Sequence, residues 1–225
     1  MLIINSSGFL IICIEGVDGS GKSTQAELLV KRLISEGKNV QLFSYPDYES
    51  DTGKKIKEYL HGTEPVEVKS LFKMYLEDIA KDADKIREAD KKGIVILSRY
   101  YTSTIAYQCA QGYDYNEAKK KALASGLPTP DIIVYLGVTS QESMYRKMKG
   151  GFVLDRHERS VFLIENALKF YRKEMDDNFP GNKKWIAVNG SRSVEEIQKQ
   201  IWEEVSKVAA KIEGKAFVPP VWRSW

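Results

Sequence analysis

Short, fully apolar runs alternate along the chain with stretches whose apolar residues recur every three or four positions. "FLIICIE" (9–15) has the length and β-branching of a buried strand, as do "NVQLFSY" (39–45), "GIVILS" (93–98), "DIIVYLGV" (131–138) and "KWIAVN" (184–189). Between them the period changes to 3.6. From Ser23 to Glu36, the residues Ala26, Leu29, Val30 and Leu33 share one helical face, and Gly37 ends the run. The same pattern predicts a helix over 51–60, with Ile56, Tyr59 and Leu60 on one side, and a long helix from about 66 to 92 that stops at Gly93. Further helices are expected at 100–109, 115–125, 140–149, 158–177 and 193–212. Pro46 closes the second strand, and "LPTP" separates helix from strand before residue 131.

Strands spaced by helices imply βαβ units. The fold class expected is α/β, a parallel five-stranded sheet with helices on both faces, in which ligands bind beyond the carboxyl ends of the strands. Neither a repeat nor an internal boundary is visible, so residues 1–212 read as one domain with a lid at about 146–158. The tail, 213–225, has no period and two prolines.

One stretch, "EGVDGSGKSTQ", sits between the first strand and the first helix. Gly16, Gly21, Lys22 and Ser23 fit G-x-x-x-x-G-K-[ST], the phosphate-binding loop, and both flanking elements are those the motif requires. The glycines allow the backbone to curl so that amide groups converge on phosphate oxygens, and a side chain at Gly16 or Gly21 is expected to obstruct that approach. The helix beginning near Lys22 adds the positive end of its dipole. Gly19, Ser20 and Thr24 belong to the same ATP-binding stretch; Lys22 is expected at the β- and γ-phosphates and the Ser23 hydroxyl on Mg²⁺. The loop identifies a triphosphate donor and leaves the acceptor open. A GTPase is disfavoured because no N-K-x-D guanine signature is present.

"EGVDGSGKSTQ", "SRYYTSTIAYQ" (98–108) and "DRHE" (155–158), taken together, resemble the thymidylate kinase family, over about residues 9–212. That resemblance implies phosphoryl transfer from ATP to dTMP with Mg²⁺ and a homodimer; from the near-balanced charge and the lack of an apolar run of about 20 residues, neither a nucleic-acid nor a membrane partner is expected. The resemblance places Arg99 on the acceptor phosphate and Ser103, Tyr107 and Gln108 around the nucleoside. The chemistry of the residues agrees. A guanidinium at a strand's carboxyl end can grip a phosphate bidentately, and an amide can both donate to and accept from a base edge. The resemblance makes Phe72 the aromatic that stacks on thymine, although Leu71, Phe72 and Tyr75 also suit a helix core. Asp18 is expected at the acceptor sugar or in the transfer itself, with Glu15 a candidate to share that work. This chain departs from the family pattern at Ser98, where an Asp is usual before the arginine, and at Leu76, where an Arg often follows the stacking aromatic. Pro46 is followed by Asp47 and Tyr48, without the arginine some members carry two residues on. Lys73 and Tyr48 are the candidate compensators.

The segment 144–160 carries five basic residues, among them Arg146 and Arg156. The glycine pair 150–151 would let it move, and cations closing over the donor would stabilise the transferring charge. None of the four loop positions between Gly16 and Gly21 is basic. Family members of that kind use lid arginines, which makes Arg156 the first candidate and Arg146 the second. Asp155 and Glu158 fall, by resemblance, near the acceptor or the lid hinge. Arg192 lies where an adenine ring would stack, and a plain capping turn explains "SRSVEE" equally well.

Composition narrows the classes. The 225 residues hold 34 Lys+Arg against 31 Asp+Glu, a net charge of +3, which argues against a nucleic-acid surface. Two cysteines, Cys13 and Cys109, read as buried small hydrophobes, and no Cys/His cluster has zinc spacing. The first residues look faintly like a signal peptide but lack a basic start, so a cytoplasmic protein is expected.

Overall fold

The computed structural model describes residues 10–151, 154–181 and 184–212. The tail expectation, with Phe217, Trp222 and Trp225, lies outside them. Among the described residues the strands are β1 (Leu10–Glu15), β2 (Val40–Ser44), β3 (Ile94–Ser98), β4 (Ile132–Gly137) and β5 (Lys184–Asn189). They form one sheet in the order β2-β3-β1-β4-β5, and every pairing is parallel. The helices are α1 (Lys22–Ser35), α2 (Asp51–His61), α3 (Val68–Ala80), α4 (Ala83–Asp90), α5 (Tyr101–Ala110), α6 (Tyr115–Ala124), α7 (Ser140–Lys149), α8 (Val161–Asp176) and α9 (Val194–Ile212).

The apolar strand runs are explained by burial on two sides. Leu10, Ile12 and Ile14 of β1 pack with α1 and α9, while Ile11 and Cys13 point into the opposite core with α3, α5 and α6. Alternate residues thus feed different layers, and neither layer tolerates a polar position. Both cysteines are free and buried. Among the described residues no helix is long and apolar enough to cross a membrane.

The single long helix expected at 66–92 is instead two, α3 and α4, broken at Lys81 and Asp82. The Lys81 ammonium donates to the Asp78 carbonyl at 2.8 Å, and the Asp82 N–H turns to Ile79 O at 3.1 Å. A side chain therefore takes the carbonyl that would otherwise continue the α-helical ladder. Hydrophobic periodicity runs straight through this break and cannot reveal it.

β1 and β3 end side by side at the sheet's centre. After β3 the chain turns within two residues, and Arg99 adopts a left-handed conformation (φ 64°) before α5 begins. No side chain of its own caps α5. Glu15, the last residue of β1, does so from the neighbouring strand. Its carboxylate accepts from Tyr100 N at 2.9 Å, Ser103 N at 3.2 Å and Thr102 Oγ1 at 2.6 Å, and from Tyr171 OH of α8 at 3.0 Å. Burial of a carboxylate is tolerated when its lone pairs are filled in this way.

Candidate active site

The loop after β1 has the backbone its sequence calls for. Gly16, Gly19 and Gly21 all have positive φ, at 144°, 72° and 96°. The reasons differ by position. A Cβ on Gly16 would lie 2.7 Å from Leu136 O, and one on Gly19 2.5 Å from Ser143 O, whereas space beside Gly21 is open. Gly16 and Gly19 are thus required by the protein's own packing, and Gly21 by its dihedral, apart from any approach of a ligand. Ser20 N–H closes a turn on Val17 O at 3.2 Å. The first α1 bond is Gln25 N–H to Gly21 O, at 3.0 Å, so the amides of Lys22, Ser23 and Thr24 have no partner within the helix. No acidic residue occupies that first turn, and Ser23 and Thr24 are exposed. Lys22 is buried and donates to Val17 O at 2.7 Å. Burial and the nearby Arg99 push its ammonium down to about 7, against the pull of Asp18 and Glu15.

Beside this loop opens a cleft with about 550 Å³ of free space, open solvent included. The β2–α2 loop contributes Tyr48, α3 contributes Tyr75 and Ile79, α5 contributes Tyr107 and Gln108, and the segment before α8 contributes Asp155 and His157. Asp18 and Arg99 stand where cleft and loop meet, and they form an ion pair. Tyr107 OH donates to Asp18 Oδ2 at 2.9 Å, and its ring lies 5.6 Å below the Arg99 guanidinium. Burial alone would raise the Asp18 pKa, but Arg99 and Lys22 hold it well below the usual carboxylate range. Ser103 also lines the cleft, though its hydroxyl is engaged by Glu15 and by Tyr171 OH at 2.7 Å. Gln108 is fully buried, and its Nε2 has no partner among the described residues.

Several expected residues are elsewhere. Phe72 is 1% exposed and stacks on Tyr113, with centroids 4.7 Å apart; it is not among the residues lining the cleft. Tyr75, one turn on, is the α3 aromatic that reaches it. α3 carries two apolar stripes, one through Leu71, Tyr75 and Ile79 and one through Phe72, Leu76 and Ala80. The second faces a separate groove against α6 that also takes Lys73. Leu76 and Lys73 are therefore remote from the cleft, whereas Tyr48 lines it. Arg156 is not brought to the loop. Its guanidinium donates to Gly62 O at 2.8 Å and Glu64 O at 2.9 Å, and it covers the Tyr59 ring at 4.5 Å. Arg146 is brought there, donating to Gly19 O at 3.4 Å and Gly190 O at 2.8 Å. Arg192 is exposed, and Ser193 and Glu196 form the capping box the turn predicted. Tyr75 and His157 went unnoticed in the sequence. A count of both α3 stripes would have flagged the first, and no local signal marks the second.

Residues 14–201 match the family model for thymidylate kinase. The chain belongs to the thymidylate kinase family. It is 33% identical to the thymidylate kinase of Schizosaccharomyces pombe, over 88% of this chain and 92% of that one. It is 28% identical to the human thymidylate kinase, over 85% and 87% respectively. The solved structure of thymidylate kinase from Candida albicans superposes with a TM-score of 0.76 at 25% identity, covering 92% of this chain and 95% of that one. Thymidylate kinases are phosphotransferases, so the phosphate-binding loop and the cleft beside it belong to an enzyme of that class.

Proposed function

We propose that this enzyme transfers the γ-phosphoryl of ATP to dTMP, giving ADP and dTDP. The observation that carries the reading is the meeting of Asp18, Arg99 and Tyr107 at the mouth of the phosphate-binding loop. A triphosphate in the loop and a monophosphate in the cleft would meet there end to end. Arg99 holds the acceptor phosphate, whose oxygen attacks the γ-phosphorus as the bond to the β-γ bridging oxygen breaks and ADP departs. Gly16, Gly19, Ser20, Gly21 and Thr24 contribute to the donor cradle, and Lys22 moves from Val17 O to the β- and γ-oxygens, where anionic neighbours restore its full charge. Arg146 takes the role of a cation on the donor side, ahead of Arg156. Tyr75, rather than Phe72, packs against the base, and Gln108 offers it a hydrogen-bond donor. Tyr107 and Asp18 face the sugar, with Ser103 supporting the wall behind them.

The residues fit Mg²⁺ held chiefly by substrate phosphates. Among the described residues no cluster of three or more acidic, histidine or cysteine side chains could hold a metal alone, while the exposed Ser23 hydroxyl stands in the first turn of α1. Ser23 would help to hold Mg²⁺, which would offset the negative charge of the substrate phosphates. A homodimer in the cytoplasm, serving dTTP synthesis, is part of the same proposal.

A second reading, another monophosphate acceptor, draws on two features. The position four residues past Tyr75 is the apolar Ile79, not a cation, and Ser98 stands buried where an acid is usual. ADP release measured over a panel of nucleoside monophosphates decides between them, since a clear preference for any acceptor but dTMP removes the first. Arg99→Ala should lower acceptor-dependent turnover by about 10²–10³-fold, the scale for removing one charge-stabilising donor, with ATP affinity nearly intact. Collapse of ATP affinity instead would move Arg99 to the donor side.

A further inference from the structure

We propose that His157 is a positioning residue for the acceptor nucleotide, shaping the base pocket through Tyr107 and through Gln111. The inference rests on the acceptor cleft described above and adds a residue to it. The His157 ring is buried and stacks on Tyr107, with centroids 5.5 Å apart and planes 19° from parallel. Its edge meets Tyr59 at 5.7 Å. Burial lowers its pKa to about 4, so at neutral pH the ring is uncharged and one nitrogen is an acceptor. Gln111 Nε2 lies 3.4 Å from His157 Nε2 and donates to Gln108 Oε1 at 3.0 Å, while Gln111 Oε1 accepts from Tyr59 OH at 3.0 Å.

This wiring has a definite consequence. Gln111 has two amide hydrogens, and Gln108 Oε1, Tyr107 O at 3.3 Å and His157 Nε2 are the acceptors they share. With its oxygen engaged, Gln108 has only its NH₂ group left, and that group has no partner among the described residues. That amide lies in the cleft wall with essentially no exposed surface, and a base carbonyl or unprotonated ring nitrogen that reached it would supply the acceptor it lacks. The second route runs through the Tyr107 ring, whose hydroxyl fixes Asp18. His157 is held in place by its neighbour. Arg156 N–H donates to Leu60 O at 2.9 Å, and its guanidinium ties the segment to the end of α2. Arg156 and His157 thus fasten the segment before α8 onto the acceptor side of the molecule, and both meet Tyr59.

The test separates the two Michaelis constants. The full chain is assayed with the monophosphate it prefers in the panel, so a preference other than dTMP revises the proposed function without touching this inference. His157→Ala should raise the acceptor KM by about tenfold, the upper scale for one aromatic pair, with the KM for ATP unchanged. His157→Phe retains the stack and should recover most of that loss, leaving the part carried by Gln111. Gln111→Leu, a milder change should His157→Ala fold poorly, should raise the acceptor KM alone and by less. The proposal falls if His157→Ala leaves the acceptor KM unchanged. It falls equally if Phe fails to recover it, or if both constants rise together in step with a lowered melting temperature.

Discussion

The donor loop and the acceptor cleft are neighbours in space and opposites in construction. The loop is ten consecutive residues, 15–24, working mainly through backbone. The cleft draws side chains from Asp18 to His157, contributed by four connecting segments and three helices. Backbone function is written locally, because glycines and a following helix suffice to aim amides at one point. Side-chain function depends on how each helix is rotated in its packing, and no single stretch records that.

The largest test of this contrast sets Phe72 against Tyr75. Phe72→Ala should cost about 3–5 kcal/mol of stability, the usual scale for emptying a buried aromatic site, and leave the acceptor KM near its original value. Tyr75→Ala should do the reverse. Loss of base stacking worth about 1–3 kcal/mol would raise the acceptor KM by about 5- to 150-fold, with little change in denaturant midpoint. Were Phe72→Ala to affect binding and Tyr75→Ala stability, the assigned rotation of α3 would be wrong.

A smaller effect separates the two lid arginines. Arg146→Ala should weaken ATP binding by about tenfold, or about 1.4 kcal/mol, while Arg156→Ala should act on the acceptor alone. Equal effects of both on ATP, seen in initial-rate kinetics, would restore Arg156 to the donor side.

The smallest effect is electrostatic. Burial raises Asp155 from 3.8 to about 6 and lowers His157 from 6.5 to about 4. The folded chain therefore holds a proton on Asp155 that the unfolded chain releases, and that stability is lost as pH rises from 4 to 6. For His157 the unfolded chain takes up a proton that the folded one refuses, so stability is lost as pH falls over the same range. The two slopes oppose each other. Asp155→Asn removes one, so relative to the unmodified chain it should gain stability as pH rises from 4 to 6. Melting temperatures across that range check the sign, and parallel curves would remove the assignment.

Legibility in the sequence followed the same divide. Five apolar runs matched the five strands among the described residues: β1, β3 and β4 are buried on both faces, and the edge strands β2 and β5 keep enough apolar positions to be read despite the exposed Gln41, Ser44 and Asn189. The P-loop reading needed only residues 16–23. The α3–α4 break was invisible because Lys81 reaches back to a carbonyl, a choice that leaves the apolar period intact. Phe72 was assigned to the base by resemblance, and a sequence does not say which of the two apolar stripes of α3 faces a ligand. Arg156 looked like a cation for phosphates because its carbonyl partners, Gly62 and Glu64, are more than ninety residues away. Glu15 looked like a candidate for chemistry, and only the neighbouring strand reveals the helix it caps.

That last carboxylate has a wider consequence. Glu15 ends the strand that launches the donor loop and, through the same two oxygens, fastens α5 and α8. The two substrate platforms are therefore bolted to a common fixture and cannot wander apart independently. Acceptor preference is open to redesign at Tyr75 or Gln108, on the far rim, whereas any substitution at Glu15 would misalign both substrates at once.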